Sequence, residues 1–139
     1  MMVFDIEERV AKAKRLFKED GYNCCQAVVL AYNDLFGIDD KLAAALSSGF
    51  GGGMGRMREV CGAFSGVVLI ENLRNGFTDH TDKEAKDACY ARIQALASAF
   101  KEQSGSNSII CRELLSGSGA TSGGASEPRG KEYYKKRPC

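Results

Sequence analysis

The chain has one histidine, His80, and no C-x-x-C, although it carries six cysteines in 139 residues. A single histidine excludes a site assembled from several imidazoles. Without C-x-x-C, a thioredoxin-type redox pair, a zinc-ribbon knuckle and the usual c-type haem attachment are excluded as well. An excess of either charge is also lacking, because 19 Lys plus Arg face 18 Asp plus Glu for a formal net charge of +1. That balance leaves no electrostatic footprint for nucleic acid or an anionic membrane surface. Long apolar runs are missing too. Val60 to Ile70 is short and is broken by Gly62, Ser65 and Gly66, so no membrane insertion is expected. Residues 5 to 20 are crowded with charge where an export signal has its apolar centre. The expected location is therefore cytoplasmic, where thiols stay reduced and clustered cysteines point to redox or metal chemistry rather than to structural disulfides.

Nucleotide-binding signatures are absent. Met54 stands where the third glycine of G-x-G-x-x-G is needed, no strand precedes the run, and G-x-x-x-x-G-K-[ST] does not occur. No Ser-His-Asp or paired-carboxylate arrangement stands out either.

What is present is helical periodicity. At this length one domain can bury a real core without cross-links. Ile6, Val10 and Phe17 repeat on one face of a first helix that Gly21 stops. Asn23 and Gln26 form a capping box for a second helix, which buries Val28, Ala31 and Leu35 and ends at Gly37. A short alanine-rich third helix spans about 40 to 48. Gly49 to Gly55 holds five glycines in seven residues, which requires a loop or tight crossing. A fourth helix, about 57 to 73, is apolar or small nearly all round and is expected to be the central, most buried one. Gly62 and Gly66 stand four apart on one of its faces, open to close approach by a backbone or a bulky cofactor. Thr81 and Glu84 suggest a capping box for a long fifth helix to about Gln103, with Cys89 in its core stripe and Gly105 as its stop. A short sixth helix runs from about 109 to 115. Residues 116–139 read as a flexible Ser/Gly-rich linker and a basic tail ending in Cys139, appended to a helical domain of residues 1–115. The expectation is an all-α, single-domain bundle of five to six helices, without strands.

Three cysteines fall at expected helix starts: Cys24 after Asn23, Cys61 after the glycine run, and Cys111 after Ser108. The partial positive charge of a helix start favours the thiolate, the form that attacks disulfides and binds metals. Bare N–H groups of the glycine loop, with Gly51, Gly52, Gly53 and Gly62 as candidates, would face the sulfur or a cofactor. The bland reading of Cys61 is a small buried hydrophobe. Cys25 points about a third of the way round from Cys24 and is set aside, and Cys89 is read as structural. Arg112 is the cation expected to assist Cys111.

Gly49-Phe50-Gly51-Gly52-Gly53-Met54-Gly55-Arg56 followed by Cys61-Gly62-Ala63-Phe64-Ser65-Gly66, a C-G-A-x-x-G segment, resembles the signature of the C_GCAxxG_C_C family, described as redox-active. Asn23-Cys24-Cys25-Gln26-Ala27-Val28, Cys111-Arg112-Glu113-Leu114-Leu115 and Arg137-Pro138-Cys139 are similar to its other cysteine segments. The resemblance implies an all-helical fold and a redox or metal-linked role for Cys24, Cys61, Cys111 and Cys139. Two functions follow as expectations. One is redox chemistry, by thiol/disulfide exchange or an iron–sulfur cluster, with an unidentified redox partner. The other is a non-enzymatic module holding zinc or another soft metal through the same four sulfurs. A plain helical domain whose cysteines only pack is the third possibility, and a homodimer is compatible with apolar helices in so small a chain.

Overall fold

The structure is a computed structural model that describes residues 3–135 and 137–139. It is all-α: helices α1 (Ile6–Lys18), α2 (Cys24–Tyr32), α3 (Asp40–Ser47), α4 (Gly62–Asn75), α5 (Lys83–Ser104), α6 (Cys111–Leu114) and α7 (Lys131–Lys135). Among the described residues the only strand-like pairing is one antiparallel bridge, Val60 with Ile110.

Helix α2 is the centre. Its capping box is formed: the Asn23 side chain accepts from the Gln26 N–H at 2.9 Å, and Gln26 accepts from the Asn23 N–H at 3.2 Å. Small apolar residues then let neighbours close in on several sides, and Cys25, Ala27, Val29, Leu30 and Ala31 are buried. Helices α1, α3 and α4 all pack on it. The expectation that the fourth helix would be the most buried is therefore corrected. Helix α4 buries Gly62, Phe64 and Gly66, while Val67 to Ile70 stay half-buried. Its small residues serve α2. A Cβ on Gly66 would stand 2.8 Å from the Val28 Cβ and 3.2 Å from the Cys25 carbonyl oxygen, so it is a helix backbone and not a cofactor that occupies this face.

Helix α1 meets the core through Ala13, Leu16 and Phe17, which share one face at i, i+3, i+4. Ile6 and Val10, expected in the core, are 65 % and 44 % exposed, because the apolar contact lies in the C-terminal half of the helix, while the N-terminal half is held by Arg9, which donates to the Ala31 carbonyl at 2.9 Å and pairs with Asp34. Helix α5 opens one residue later than expected, with the Asp82 side chain accepting from the Ala85 N–H at 3.0 Å. Gly105 ends α5 in left-handed geometry at φ +70°, as the sequence suggests. The second helix, expected to reach Gly37, stops at Tyr32 and gives way to a 3-10 turn, Asn33–Phe36, which Gly37 closes at φ +69°; Val28 and Leu35, expected in its core, are half-buried.

Residues 116 to 130 form turns without regular helix and return to the glycine loop. The Arg56 guanidinium donates to the carbonyls of Gly123, Ala125 and Thr121, and Arg58 Nε donates to the Thr121 carbonyl at 2.8 Å. Arg129 then ties the tail to α1, donating to the Phe17 and Gly21 carbonyls at 2.7 and 2.6 Å with its guanidinium over the Phe17 ring. These anchors bring Cys139 back across the bundle. Replacing Gly66 by alanine should cost roughly 1–3 kcal/mol, the range for overpacking a closed contact. Urea unfolding of the variant would show it, and an unchanged midpoint would contradict the α2–α4 contact.

Candidate functional site

The glycine run is a left-handed coil. Gly52, Gly53 and Gly55 have positive φ, and so do Met54, Arg56 and Arg58 at +68°, +65° and +58°. Its N–H groups turn inward: those of Met54, Gly55, Arg56, Arg58 and Glu59 donate to the carbonyls of Phe50, Gly49, Gly51, Gly52 and Gly53. These five are used within the loop; the N–H groups of Gly51, Gly52, Gly53 and Gly62, the ones expected to face a sulfur or a cofactor, are not among them. The glycines also make room for side chains. A Cβ on Gly51 would stand 2.5 Å from Asn23 Nδ2, and one on Gly53 would stand 2.5 Å from the Cys111 Cβ. The Cys24 sulfur fills the place where a Cβ of Gly62 would be. Of the four candidate glycines, Gly52 is the one that lines the cavity described below.

The coil delivers the chain to the bridge. Cys61 N–H donates to the Ile109 carbonyl at 2.7 Å, and Cys111 N–H donates to the Glu59 carbonyl at 2.6 Å. Each cysteine follows a bridge residue and opens a helix: Cys61 is the N-cap of α4 and Cys111 is the first residue of α6. The fourth helix thus begins later than expected, because residues 57 to 60 are spent on the coil and the bridge. Across an antiparallel pair these two cysteines are diagonal neighbours on one face, a relation that puts Cα atoms about 7–8 Å apart.

All four predicted cysteines line one cavity of about 630 Å³: Cys24 at the start of α2, Cys61, Cys111, and Cys139 from the tail. Cys25 turns into the core and Cys89 is buried on α5. All six are free thiols. Cys61 and Cys111 are only 7 % and 6 % exposed, Cys24 is half-buried and Cys139 is exposed. No three of the described His, Cys, Asp and Glu side chains are grouped so as to hold a metal ion.

Sequence reasoning missed the cation. Arg112, expected to assist Cys111, is 61 % exposed and pairs with Glu59 at 3.5 Å. Arg58, with its side chain 7 % exposed, donates to the Cys111 sulfur at 3.7 Å. Its signal was a charged residue at the exit of a glycine coil, where the chain's path sets the side chain's direction.

A family model described as "Putative redox-active protein (C_GCAxxG_C_C)" matches residues 22–139. The chain belongs to the C_GCAxxG_C_C family. Among curated proteins and among solved structures nothing matches it. The family's signature segment here joins the cavity to the core: Cys61, which caps α4, and Ala63 line the cavity, Gly62 receives the Cys24 sulfur, and Gly66 admits α2. No helix among the described residues is long and apolar enough to cross a membrane.

Burial pushes the Cys61 thiol up from its ordinary 9.0 to about 11, with further upward pushes from Cys24 and Cys111. The N–H groups of Phe64 and Ala63 pull the other way, although they close no cap hydrogen bond with the sulfur. Burial likewise raises Cys25, to about 12. Cys139 is exposed as a residue, yet its thiol is crowded by protein and by Cys24, Cys61 and Cys111, which raises it too. In the native protein Cys61 should react with iodoacetamide about tenfold faster per pH unit from pH 7 to beyond pH 9. A plateau below pH 9 contradicts the burial. The linked stability has a definite sign. The native state keeps a proton that the unfolded chain releases, so stability is full below pH 9 and falls as pH rises toward 11.

Proposed function

We propose that the protein carries out two-electron thiol/disulfide exchange, with Cys111 attacking and Cys61 resolving. The observation that carries this reading is the antiparallel bridge, which presents both cysteines to one cavity from the first positions of two helices. Arg58 donates to the Cys111 sulfur at 3.7 Å, which places a fixed positive charge beside the attacking atom. Diagonal neighbours at about 7–8 Å lie just outside the Cα spacing of a disulfide, about 4.4–6.8 Å. A small inward movement of α6 closes that gap, which fits a pair resting as free thiols. Oxidation of the reduced chain by a small disulfide should yield a Cys61–Cys111 cross-link in peptide mass maps. Cys111→Ser should abolish it, and Cys61→Ser should trap the adduct on Cys111. An oxidised protein in which these two sulfurs stay unlinked overturns the assignment.

A second reading has its own support. Four thiols surround one cavity, and a thiol that burial holds protonated, as at Cys61, is a donor a metal centre deprotonates. Among the described residues no three ligands form a compact group, which fits a single tetrahedral zinc poorly. A group that spans the cavity fits better, and Cys24, Cys61, Cys111 and Cys139 would hold an iron–sulfur cluster. When bound, it would supply one-electron transfer. Anaerobic reconstitution should then give visible absorption with bound iron and sulfide, all lost in Cys61→Ser. Colourless, iron-free wild-type protein removes this reading and leaves exchange.

A further inference from the structure

We propose that the thiol cavity is built for a small anionic disulfide, its negative charge seated between Arg137 and Arg58, a proposal that rests on the exchange reading. The electrostatics of the wall carry it. Lys14, Arg58 and Arg137 line the cavity, and among the described residues no Asp or Glu side chain does. Behind the wall one carboxylate serves three guanidiniums, because Glu127 pairs with Arg56 at 3.1 Å, with Arg58 at 3.9 Å and with Arg137. The cluster keeps an excess of two positive charges in a place where the Arg58 and Arg137 side chains are only 7 % and 6 % exposed. Burying more cationic than anionic charge is costly, and an anion entering the cavity relieves that cost.

Arg137 is the residue placed to receive it. Of the five N–H donors of a guanidinium, among the described residues one is used, on Glu127. The guanidinium carbon sits over the Tyr133 ring, 3.9 Å from its centroid, which holds the group in place while its other donors stay free among the described residues. It lines the same cavity as Cys139 and Cys111. The remaining lining includes Phe17, Phe100, Leu114 and Leu115, which suits the hydrocarbon or ring that joins the charge to the sulfur. A volume of about 630 Å³ is that of a small-molecule site. Cys61 and Cys111 are too deeply covered for a disulfide embedded in another protein's surface to reach. The ligand class is a low-molecular-mass disulfide carrying a carboxylate, sulfonate or phosphate near its sulfurs.

The reaction balances as follows. The Cys111 sulfur, having given up its proton to solvent, attacks one sulfur of R–S–S–R. A Cys111–S–R bond forms, the S–S bond of the oxidant breaks, and R–S⁻ leaves past the guanidiniums and takes up a proton. Cys61 then loses its proton and attacks the Cys111 sulfur, forming the Cys61–Cys111 disulfide and expelling the second R–S⁻, which is protonated in turn. Two protein thiols are oxidised and one disulfide is reduced to two thiols.

The test compares two aromatic disulfides that differ only in their carboxylates, on the reduced full chain at low salt: the dicarboxylate 5,5′-dithiobis(2-nitrobenzoate) and the neutral bis(4-nitrophenyl) disulfide. Each rate on Cys111 is divided by the rate of the same reagent with the urea-unfolded chain, which removes intrinsic reactivity. The native-to-unfolded ratio should be roughly tenfold larger for the dicarboxylate, the weight of one hydrogen bond to a charged group. Arg137→Gln should shrink that preference and Arg137→Lys should restore part of it, while added salt should erode it. Equal ratios for the two reagents in the wild type, a readout that needs no variant to fold, overturn the anion seat alone. Failure of both reagents to link Cys61 to Cys111 overturns the exchange reading beneath it.

Discussion

Helix α2 meets the start of α4 at backbone distance, and the site depends on that contact. The Cys24 sulfur occupies the space beside Gly62, and Val28 occupies the space beside Gly66. Any side chain larger than hydrogen at either place would push the helices apart and move Cys24 away from Cys61. Because α2 is also the hub on which α1, α3 and α4 pack, the most buried element of the fold sets the position of the first cysteine. Core packing and site geometry are one constraint here.

The coil before α4 works against stability on its own. Three non-glycine residues in left-handed conformation, Met54, Arg56 and Arg58, each cost on the order of 1–3 kcal/mol. The side chains that this conformation aims offset the cost. Arg56 and Arg58 hydrogen-bond the carbonyls of the 121–125 segment and pair with Glu127. The strain therefore has a product: it lays the C-terminal segment over the coil, turns Arg58 toward Cys111, and routes Arg137 and Cys139 to the cavity.

Local signals were the legible ones. The Asn23–Gln26 box, the glycine stop at 105, the helical class and the placing of Cys24 rather than Cys25 at the cavity follow from interactions within a few residues. What the sequence concealed depends on partners distant in the chain. Nothing in the apolar spacing of α1 tells that Ile6 and Val10 find no neighbour. Nothing in the apolar run of α4 tells that α2 takes the centre. The choice of Arg58 over Arg112 as the cation at Cys111 turns on one left-handed residue, a property of the folded coil rather than of residue type.

A helix start by itself does not make these thiols reactive. Its favourable effect on a charge is about 0.3–1 kcal/mol, rising to about 2 in partly buried geometry. Moving Cys61 from 9.0 to about 11 corresponds to roughly 3 kcal/mol in the opposite direction, so desolvation wins at that sulfur. Whatever chemistry the cavity performs needs a second source of positive charge, and the fold supplies it from outside the helices, through arginines of the coil and the tail. Four cysteines crowd one another around that charge. Burial first, and the neighbouring cysteines after it, keep Cys61 and Cys139 protonated, so a sulfur or a cation that arrives there must displace a proton.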